Sequence, residues 1–259
     1  MVDGLESQRI KGTPQGSPLS PILSNIILDE LDKLLESRGH RFVRYADDIV
    51  IFVKSEKSAE KVLSKVTNLI ETRLKLKVNA SKSSVRNYYE LNYLGYTLLR
   101  DGKLTVSKIS LKRLKSKLKM ITSRSRGVSL EQIINEVNPV LRGWINYFRL
   151  AKMKGKVQQI ESTLRRRLRC YRLKQCKRAK TMLKFFMNQG LPKWRALFLA
   201  GSRKGWLKKS LSPQACESMN NKWFQERGLL QISEYYRLNF RGTAQYESTL
   251  SGVRGQVGK

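Results

Sequence analysis

Residues 41–53 leave the backbone few options. Arg41-Phe42-Val43-Arg44-Tyr45 alternates as a short strand does, and Ile49-Val50-Ile51-Phe52-Val53 reads as a second, more buried strand. Ala46, Asp47 and Asp48 lie between them, the composition of a tight hairpin turn. The flanks have a different period. From Pro21, the residues Ile22, Leu23, Ile26, Ile27, Leu31, Leu34 and Leu35 recur at helical steps, with Gly39 as the stop. Ser58 to Leu76 is an amphipathic helix carrying Val62, Leu63, Val66, Leu69, Ile70 and Leu74 on one stripe.

Another strand pair is expected around Leu76–Val78 and Ser84–Asn87, and a hairpin from Leu91 to Thr105 turning at Asp101-Gly102. After Thr105 the pattern is helical and basic. Ile109, Leu111, Leu114, Leu118 and Ile121 form one apolar seam. A second helix, capped by Ser129 and Gln132, runs through Ile133, Ile134, Val137, Leu141, Trp144, Ile145 and Phe148, and Pro139 should kink or interrupt it. A third carries Val157, Ile160, Leu164, Leu168 and Tyr171. Beyond Gly190, Trp194, Phe198, Trp206, Trp223, Phe224, Tyr235 and Tyr236 suggest a small compact region, and from Arg241 the composition is that of a loose tail. At helical spacing Trp144 and Phe148 read as core rather than as stacking platforms.

Charge divides the chain in the same place. The formal net charge is +32, a self-repulsion that a polyanion would relieve. Residues 1–100 hold 16 basic and 12 acidic side chains, whereas residues 101–259 hold 36 and 8. The first part is nearly balanced, so its acids are candidates for chemistry. The second is an electrostatic footprint for phosphates, with nucleic acid as the expected partner ahead of an anionic membrane surface. Its densest run is Arg165, Arg166, Arg167, Arg169, Arg172, Lys174, Lys177, Arg178 and Lys180, nine positive side chains with no acid among them. They wrap more than one helical face, so several are expected to reach phosphates, with Tyr171 free to stack on a base. A solvated charged helix is the plainer alternative.

Cys170, Cys176 and Cys216 suit a reducing compartment and lack the paired spacing of a zinc site; the only histidine is His40. No apolar run approaches the roughly 18 residues needed to span a bilayer. The first residues lack a basic-then-apolar signal pattern, so a cytoplasmic location is expected.

Asp47 and Asp48 are the sharpest chemical feature. Adjacent carboxylates at a turn between apolar strands project from a rigid support. Hard cations such as Mg²⁺ take oxygen ligands, and phosphoryl transfer uses such a metal to neutralise developing charge. A solvated turn is the competing reading, because aspartate is a good turn residue.

The neighbouring residues bear a family likeness. Tyr45-Ala46-Asp47-Asp48 resembles the signature of reverse transcriptases. The segment running from Gly12-Thr13-Pro14-Gln15-Gly16 to Ser24-Asn25 resembles the block that precedes it in the reverse transcriptases encoded by group II introns. Leu91-Asn92-Tyr93-Leu94-Gly95-Tyr96 is similar to their block at the end of the palm, and Arg142-Gly143-Trp144-Ile145-Asn146-Tyr147-Phe148 to their maturase-specific thumb, domain X. The likeness covers roughly residues 4–240, with four motifs in the right order.

That resemblance implies an α+β fold: a partial polymerase palm, an antiparallel sheet with helices, over 1–104, followed by an α-helical thumb over 105–180. Residues 181–240 would be the C-terminal part of the maturase region, which contacts DNA in some relatives, and 241–259 a flexible tail. Asp47 and Asp48 would be two of three acids binding Mg²⁺. Tyr45 and Ala46 would lie near the growing end of the new strand, Pro14, Gln15 and Gly16 under the templating base and incoming deoxynucleoside triphosphate, and Leu94 and Gly95 beside the primer. Lys82 would sit near the leaving pyrophosphate, stabilising charge or donating a proton, though an exposed surface lysine is the plain alternative. The substrates implied are an RNA template and DNA primer, and the RNA partner is structured group II intron RNA.

One departure stands beside the match. The family holds its third acid on a palm strand upstream of the Pro-Gln-Gly block, and only eleven residues precede Gly12. The expectation is an N-terminally truncated reverse transcriptase/maturase, with fingers and first palm segment absent and no polymerase activity alone. The competing expectations are a non-enzymatic RNA-binding splicing cofactor and a basic helical protein without specificity.

Overall fold

A computed structural model describes residues 17–240 and divides the chain between Tyr88 and Tyr89 into two compact units. The first unit contains α1 (Ser20–Ser37), β1 (Arg41–Tyr45), β2 (Asp48–Phe52) and α2 (Glu56–Thr72). Pro21 sits in the first turn of α1, where its missing N–H costs nothing, and Gly39 ends the helix at φ +68°. Ser55 caps α2 by accepting from the Ser58 amide at 3.3 Å. The strands pair antiparallel from Arg41↔Phe52 to Tyr45↔Asp48, which leaves Ala46 and Asp47 as a two-residue turn. One face of this hairpin places Phe42, Ile49 and Ile51 against a small core of Leu28, Leu31, Leu35 and Val66. The other face is open: Val43 and Tyr45 are 51% and 65% exposed.

The strands expected at Leu76–Val78 and Ser84–Asn87 are irregular backbone. A strand needs a neighbour to take its hydrogen bonds, and none lies beside these segments among the described residues. Local side-chain bonding also competes there. The Asn79 carboxamide oxygen accepts from the Ser81 amide at 3.2 Å and hydroxyl at 2.7 Å, and its carbonyl accepts from the Lys82 amide at 3.0 Å, which turns the chain.

The second unit begins with a three-stranded antiparallel sheet, β3 (Asn92–Tyr93), β4 (Tyr96–Leu98) and β5 (Leu104–Val106), in sequence order. Eight helices follow and also come from this unit: α3 (Lys108–Ile121), α4 (Leu130–Tyr147), α5 (Lys154–Gln175), α6 (Ala179–Asn188), α7 (Lys193–Gly201), α8 (Trp206–Ser210), α9 (Pro213–Ser218) and α10 (Asn221–Gln225). The described chain ends in α11 (Ile232–Phe240). The architecture is α+β, a small partial palm followed by a helical domain. One core, including Ile133, Ile134, Val137, Leu141, Leu168, Phe186 and Phe224, runs through the second unit.

Pro139 does not interrupt α4, which is continuous through it. A proline inside a helix costs about 3 kcal/mol; Ile133, Ile134, Val137, Leu141 and Ile145, each at most 1% exposed, hold both halves to the core and outweigh that cost. The neighbouring Asn138 fixes the same stretch to the segment between α10 and α11, donating to the Gly228 carbonyl at 2.7 Å and accepting from the Leu230 amide at 2.9 Å.

The sheet of the second unit is bonded to its helices rather than standing apart. Leu94 and Gly95 form the turn between β3 and β4, both at positive φ (50° and 79°). The Leu94 carbonyl accepts from the Tyr147 hydroxyl at 3.0 Å, and the Gly95 carbonyl from the Ser107 amide at 2.9 Å. Lys156 donates to Thr105 Oγ1 at 2.9 Å and the Val106 carbonyl at 2.8 Å, and burial pulls its ammonium below the usual lysine range. These bonds hold the sheet to the helices of the second unit, which begins at Tyr89.

Gly95 is constrained twice. Its φ is left-handed, and a Cβ would lie 2.7 Å from Ser110 Oγ and 3.1 Å from the Phe148 ring. Gly102 has nearly the same φ with nothing within 4 Å. Gly102→Ala is therefore expected to cost about 1 kcal/mol, the left-handed penalty alone. Gly95→Ala should cost roughly 2–4 kcal/mol because overpacking is added. Equilibrium denaturation of the two variants measures the difference; equal losses would show that the turn is not packed against α4.

Candidate catalytic hairpin and nucleic-acid interface

The hairpin register decides where the two carboxylates go. Asp48 opens β2 opposite Tyr45, so these two side chains share the open face of the hairpin, and Asp47 occupies the turn itself. All four residues from Tyr45 to Asp48 are exposed. Ala46 has φ 53°, a conformation that costs a residue with a Cβ about 1 kcal/mol. Something must hold the turn in that shape.

Arg44 does so from the other face. Its Nε lies 2.9 Å from both carboxylate oxygens of Asp32 on α1, its Nη2 bonds the same carboxylate, and its Nη1 donates to Asn25 Oδ1 at 2.9 Å and to the Ala46 carbonyl at 3.0 Å. The pair is shielded, with side-chain exposures of 14% and 20%. One guanidinium thus ties helix, strand and turn together, using the fixed fork that lysine lacks. Nothing in the composition of the hairpin indicated this role; only the approach of α1 shows it.

Asp47 and Asp48 are oxygen donors of the kind Mg²⁺ takes, exposed and held on a pinned turn, so the donor set fits a divalent cation in part. Among the described residues, no group of three or more His, Cys, Asp or Glu side chains is placed to hold a metal. The remaining oxygens of an octahedral shell would come from water, substrate phosphates or residues outside those described. Pro14, Gln15 and Gly16 lie outside the described residues. Lys82 is exposed on the Asn79 turn. Leu94 and Gly95 belong to the second unit, in the turn bonded to α4 and the Ser107 amide.

The basic run on α5 has largely internal partners. Arg165 pairs with Glu161 one turn earlier at 2.9 Å, an acid just outside the run. Arg167 donates to Thr122 Oγ1 at 2.6 Å and to the Lys119 and Thr122 carbonyls at 3.0 and 3.4 Å. Arg169 donates to the Ser210 carbonyl at 3.0 Å and the Met219 carbonyl at 3.3 Å. Those carbonyls end α3, α8 and α9, where a helix has no partners of its own for its last acceptors and favours a cation. Burial lowers the pKa of both guanidinium groups from the ordinary arginine value. Arg172 lies over the Phe185 ring at 4.7 Å, and Lys174 donates to the Arg124 carbonyl at 3.0 Å. Arg166 is half-buried, whereas Lys177, Arg178 and Lys180 are exposed at the α5–α6 junction. Tyr171 cannot stack on a base: it is 3% exposed and donates to the Val128 carbonyl at 2.6 Å. Phe148 is core as expected, while Trp194 and Phe198 stand 72% exposed on α7.

Two substitutions test these placements. Arg44→Ala should destabilise the first unit by about 2 kcal/mol, since it strands the Asp32 carboxylate, and should raise amide exchange at Ala46–Asp48; Arg44→Lys should lose about half as much. Denaturation with residue-resolved hydrogen exchange reads both. Arg169→Gln should cost about 2 kcal/mol by leaving two helix-end carbonyls bare, and should leave RNA affinity unchanged. A large affinity loss in a stably folded Arg169→Gln protein would place that guanidinium on the nucleic acid.

Residues 4–98 match the family of reverse transcriptases, RNA-dependent DNA polymerases, and residues 111–189 match the maturase-specific domain of group II introns. The chain is similar to Protein YkfC of Escherichia coli (strain K12), 28% identical over 132 residues, covering 38% of this chain and 35% of that protein. It resembles a putative COX1/OXI3 intron 2 protein of Saccharomyces cerevisiae, 29% identical over 143 residues, covering 33% and 17%. It also resembles the Retron Ec86 reverse transcriptase of Escherichia coli, 25% identical over 138 residues, covering 52% and 40%. The matches thus span less than half the length of these relatives. Both domains imply nucleic acid as the partner, the polymerase family depends on divalent metals, and no helix among the described residues is long and apolar enough to cross a membrane. With a reverse transcriptase segment running into a group II intron maturase domain, the chain belongs to the reverse transcriptase/maturase family encoded by group II introns.

Proposed function

We propose that the first unit contributes a metal-binding edge to an RNA-directed DNA polymerase site, and that the second unit binds group II intron RNA and helps it reach its splicing-competent fold. The observation that carries the first half is the clamped hairpin: two adjacent carboxylates at its tip, with Asp48 beside Tyr45 on an open face. A bound Mg²⁺ there would supply charge neutralisation to nucleotidyl transfer between a DNA primer on an RNA template and a deoxynucleoside triphosphate. The chain's own residues would do the rest. Asp47 and Asp48 would ligate the ion, the Tyr45 ring would lie against the primer end, and Arg44 would keep the turn from relaxing.

The second half rests on charge and family. Residues 101–259 hold 36 basic and 8 acidic side chains, and the maturase-specific match lies within them. The chemistry of splicing belongs to the RNA; the protein would stabilise one of its folds by neutralising phosphates that its helices bring together.

The test has two arms on the purified chain. Mn²⁺ titration followed by amide NMR should broaden Asp47 and Asp48 first, and Asp47→Asn with Asp48→Asn should abolish that selectivity. In parallel, a group II intron RNA should stay bound against excess unrelated RNA. Uniform broadening in the first arm with selective binding in the second would leave the splicing-cofactor function and remove the polymerase one. Loss of selectivity in the RNA arm would sink the maturase half.

A further inference from the structure

Besides the exposed Lys177, Arg178 and Lys180 at the α5–α6 junction, a regular row of exposed positive charge lies on α3. Lys108, Lys112, Lys115 and Lys119 follow at steps of four, three and four residues. At about 100° per residue they fall within a sector of about 60°, one straight row along the helix. All four are exposed, and with Leu111 and Ser116 they line an open groove. Leu114 and Leu118, on a different face, anchor α3 in the core. Among the described residues, Lys115 alone of the four has a polar side-chain partner, the neutral Gln159 carboxamide at 3.5 Å. No acid occurs anywhere on α3.

Such a row works against its own helix. Like charges three and four residues apart repel, and there is no i,i+4 acid to offset them. The helix is held by its buried leucines and by Ser107, whose hydroxyl caps it by accepting from the Ser110 amide at 3.1 Å. An anion lying along the row would relieve the repulsion and gain the attraction together. The row is about 16 Å long at 1.5 Å per residue, so one small anion could meet only one or two of the ammonium groups. A ligand using all four must carry regularly spaced negative charge over that length. Lysine suits this contact because its long apolar stem can lie along Leu111 while the compact charge moves to meet each phosphate, without the bidentate geometry that arginine imposes.

We propose that α3 is a phosphate rail, on which Lys108, Lys112, Lys115 and Lys119 bind successive phosphates of one RNA strand. It rests on the RNA-binding half of the proposed function and specifies the surface that performs it. The contact is to backbone only, so it positions the RNA without reading its bases.

The experiment measures binding of a labelled oligouridylate to the full chain across a salt series. Three variants are compared with the unchanged protein: Lys108→Gln/Lys112→Gln/Lys115→Gln/Lys119→Gln, the same four positions changed to Arg, and a charge-matched control, Lys54→Gln/Lys57→Gln/Lys61→Gln/Lys65→Gln, exposed positions on and just before α2. At about 0.7 per phosphate contact on single strands, the first variant should lose roughly 3 from the slope of log affinity against log salt and bind tenfold or more weakly at moderate salt. The Arg variant should keep the slope, which also shows that the positions tolerate change. The α2 control should stay within about 1 of the unchanged slope. An equal loss in the α2 control would mean that net charge alone is read, and an unchanged slope in the α3 variant would place the phosphates elsewhere; either overturns the rail. If the unchanged protein itself shows no salt-dependent binding, the RNA-binding function fails and the rail with it.

Discussion

The helical unit depends on α5 supplying donors to the ends of other helices. A helix closes with several carbonyls unsatisfied and a partial negative charge. Here Arg167 reaches the end of α3, and Arg169 reaches those of α8 and α9. Short helices such as α8 and α9 gain little from their own hydrogen bonds, because nucleating a helix is costly relative to so few turns. Their ends therefore need external donors, and a guanidinium supplies several at fixed angles. The apolar side of α5, with Leu164, Leu168 and Leu173 almost fully buried, brings these arginines to the places where carbonyls are exposed. Packing and charge thus come from one helix.

The same economy governs the first unit on a smaller scale. A two-stranded hairpin is marginal by itself, and among the described residues the fully buried core beneath it is small, Leu28, Leu31, Leu35 and Val66. The Arg44–Asp32 pair adds what packing does not: a directional tie from α1 to the strand and to the carbonyl of a turn residue held at positive φ. A relaxed turn would scatter Asp47 and Asp48 by more than the tolerance of metal-assisted chemistry. On the metal-binding role proposed for Asp47 and Asp48, Arg44 is the side chain that holds their turn in shape.

The hairpin itself was legible because strand alternation, turn composition and two acids coincide within thirteen residues. So were the apolar stripes of α1, α2, α4 and α5, since helical period survives any tertiary context. The strands expected at Leu76–Val78 and Ser84–Asn87 failed for a reason no local pattern contains: a strand exists only if another lies beside it, while Asn79 offered the backbone a turn. Pro139 does not end α4, because core burial on both sides outweighs its local cost. The partners of the basic side chains were the subtlest case. In a string of letters, the dense basic run on α5 looks freer than the lysines dispersed along α3, yet Arg167 and Arg169 meet helix-end carbonyls.

By itself the sequence determined the hairpin with Asp47 and Asp48 near its tip, the main apolar helices, the reverse transcriptase and maturase character, and the excess of positive charge in the second part. Those properties depend on composition and on neighbours within a few residues. The tertiary structure alone decided which positive charges are free. Arg165, Arg167 and Arg169 meet a carboxylate or helix-end carbonyls, whereas Lys108, Lys112 and Lys119 meet solvent. It also decided that Arg44 holds the carboxylate turn. A charge acquires its role from what lies across from it in space, and partners so distant along the chain are brought together only by folding.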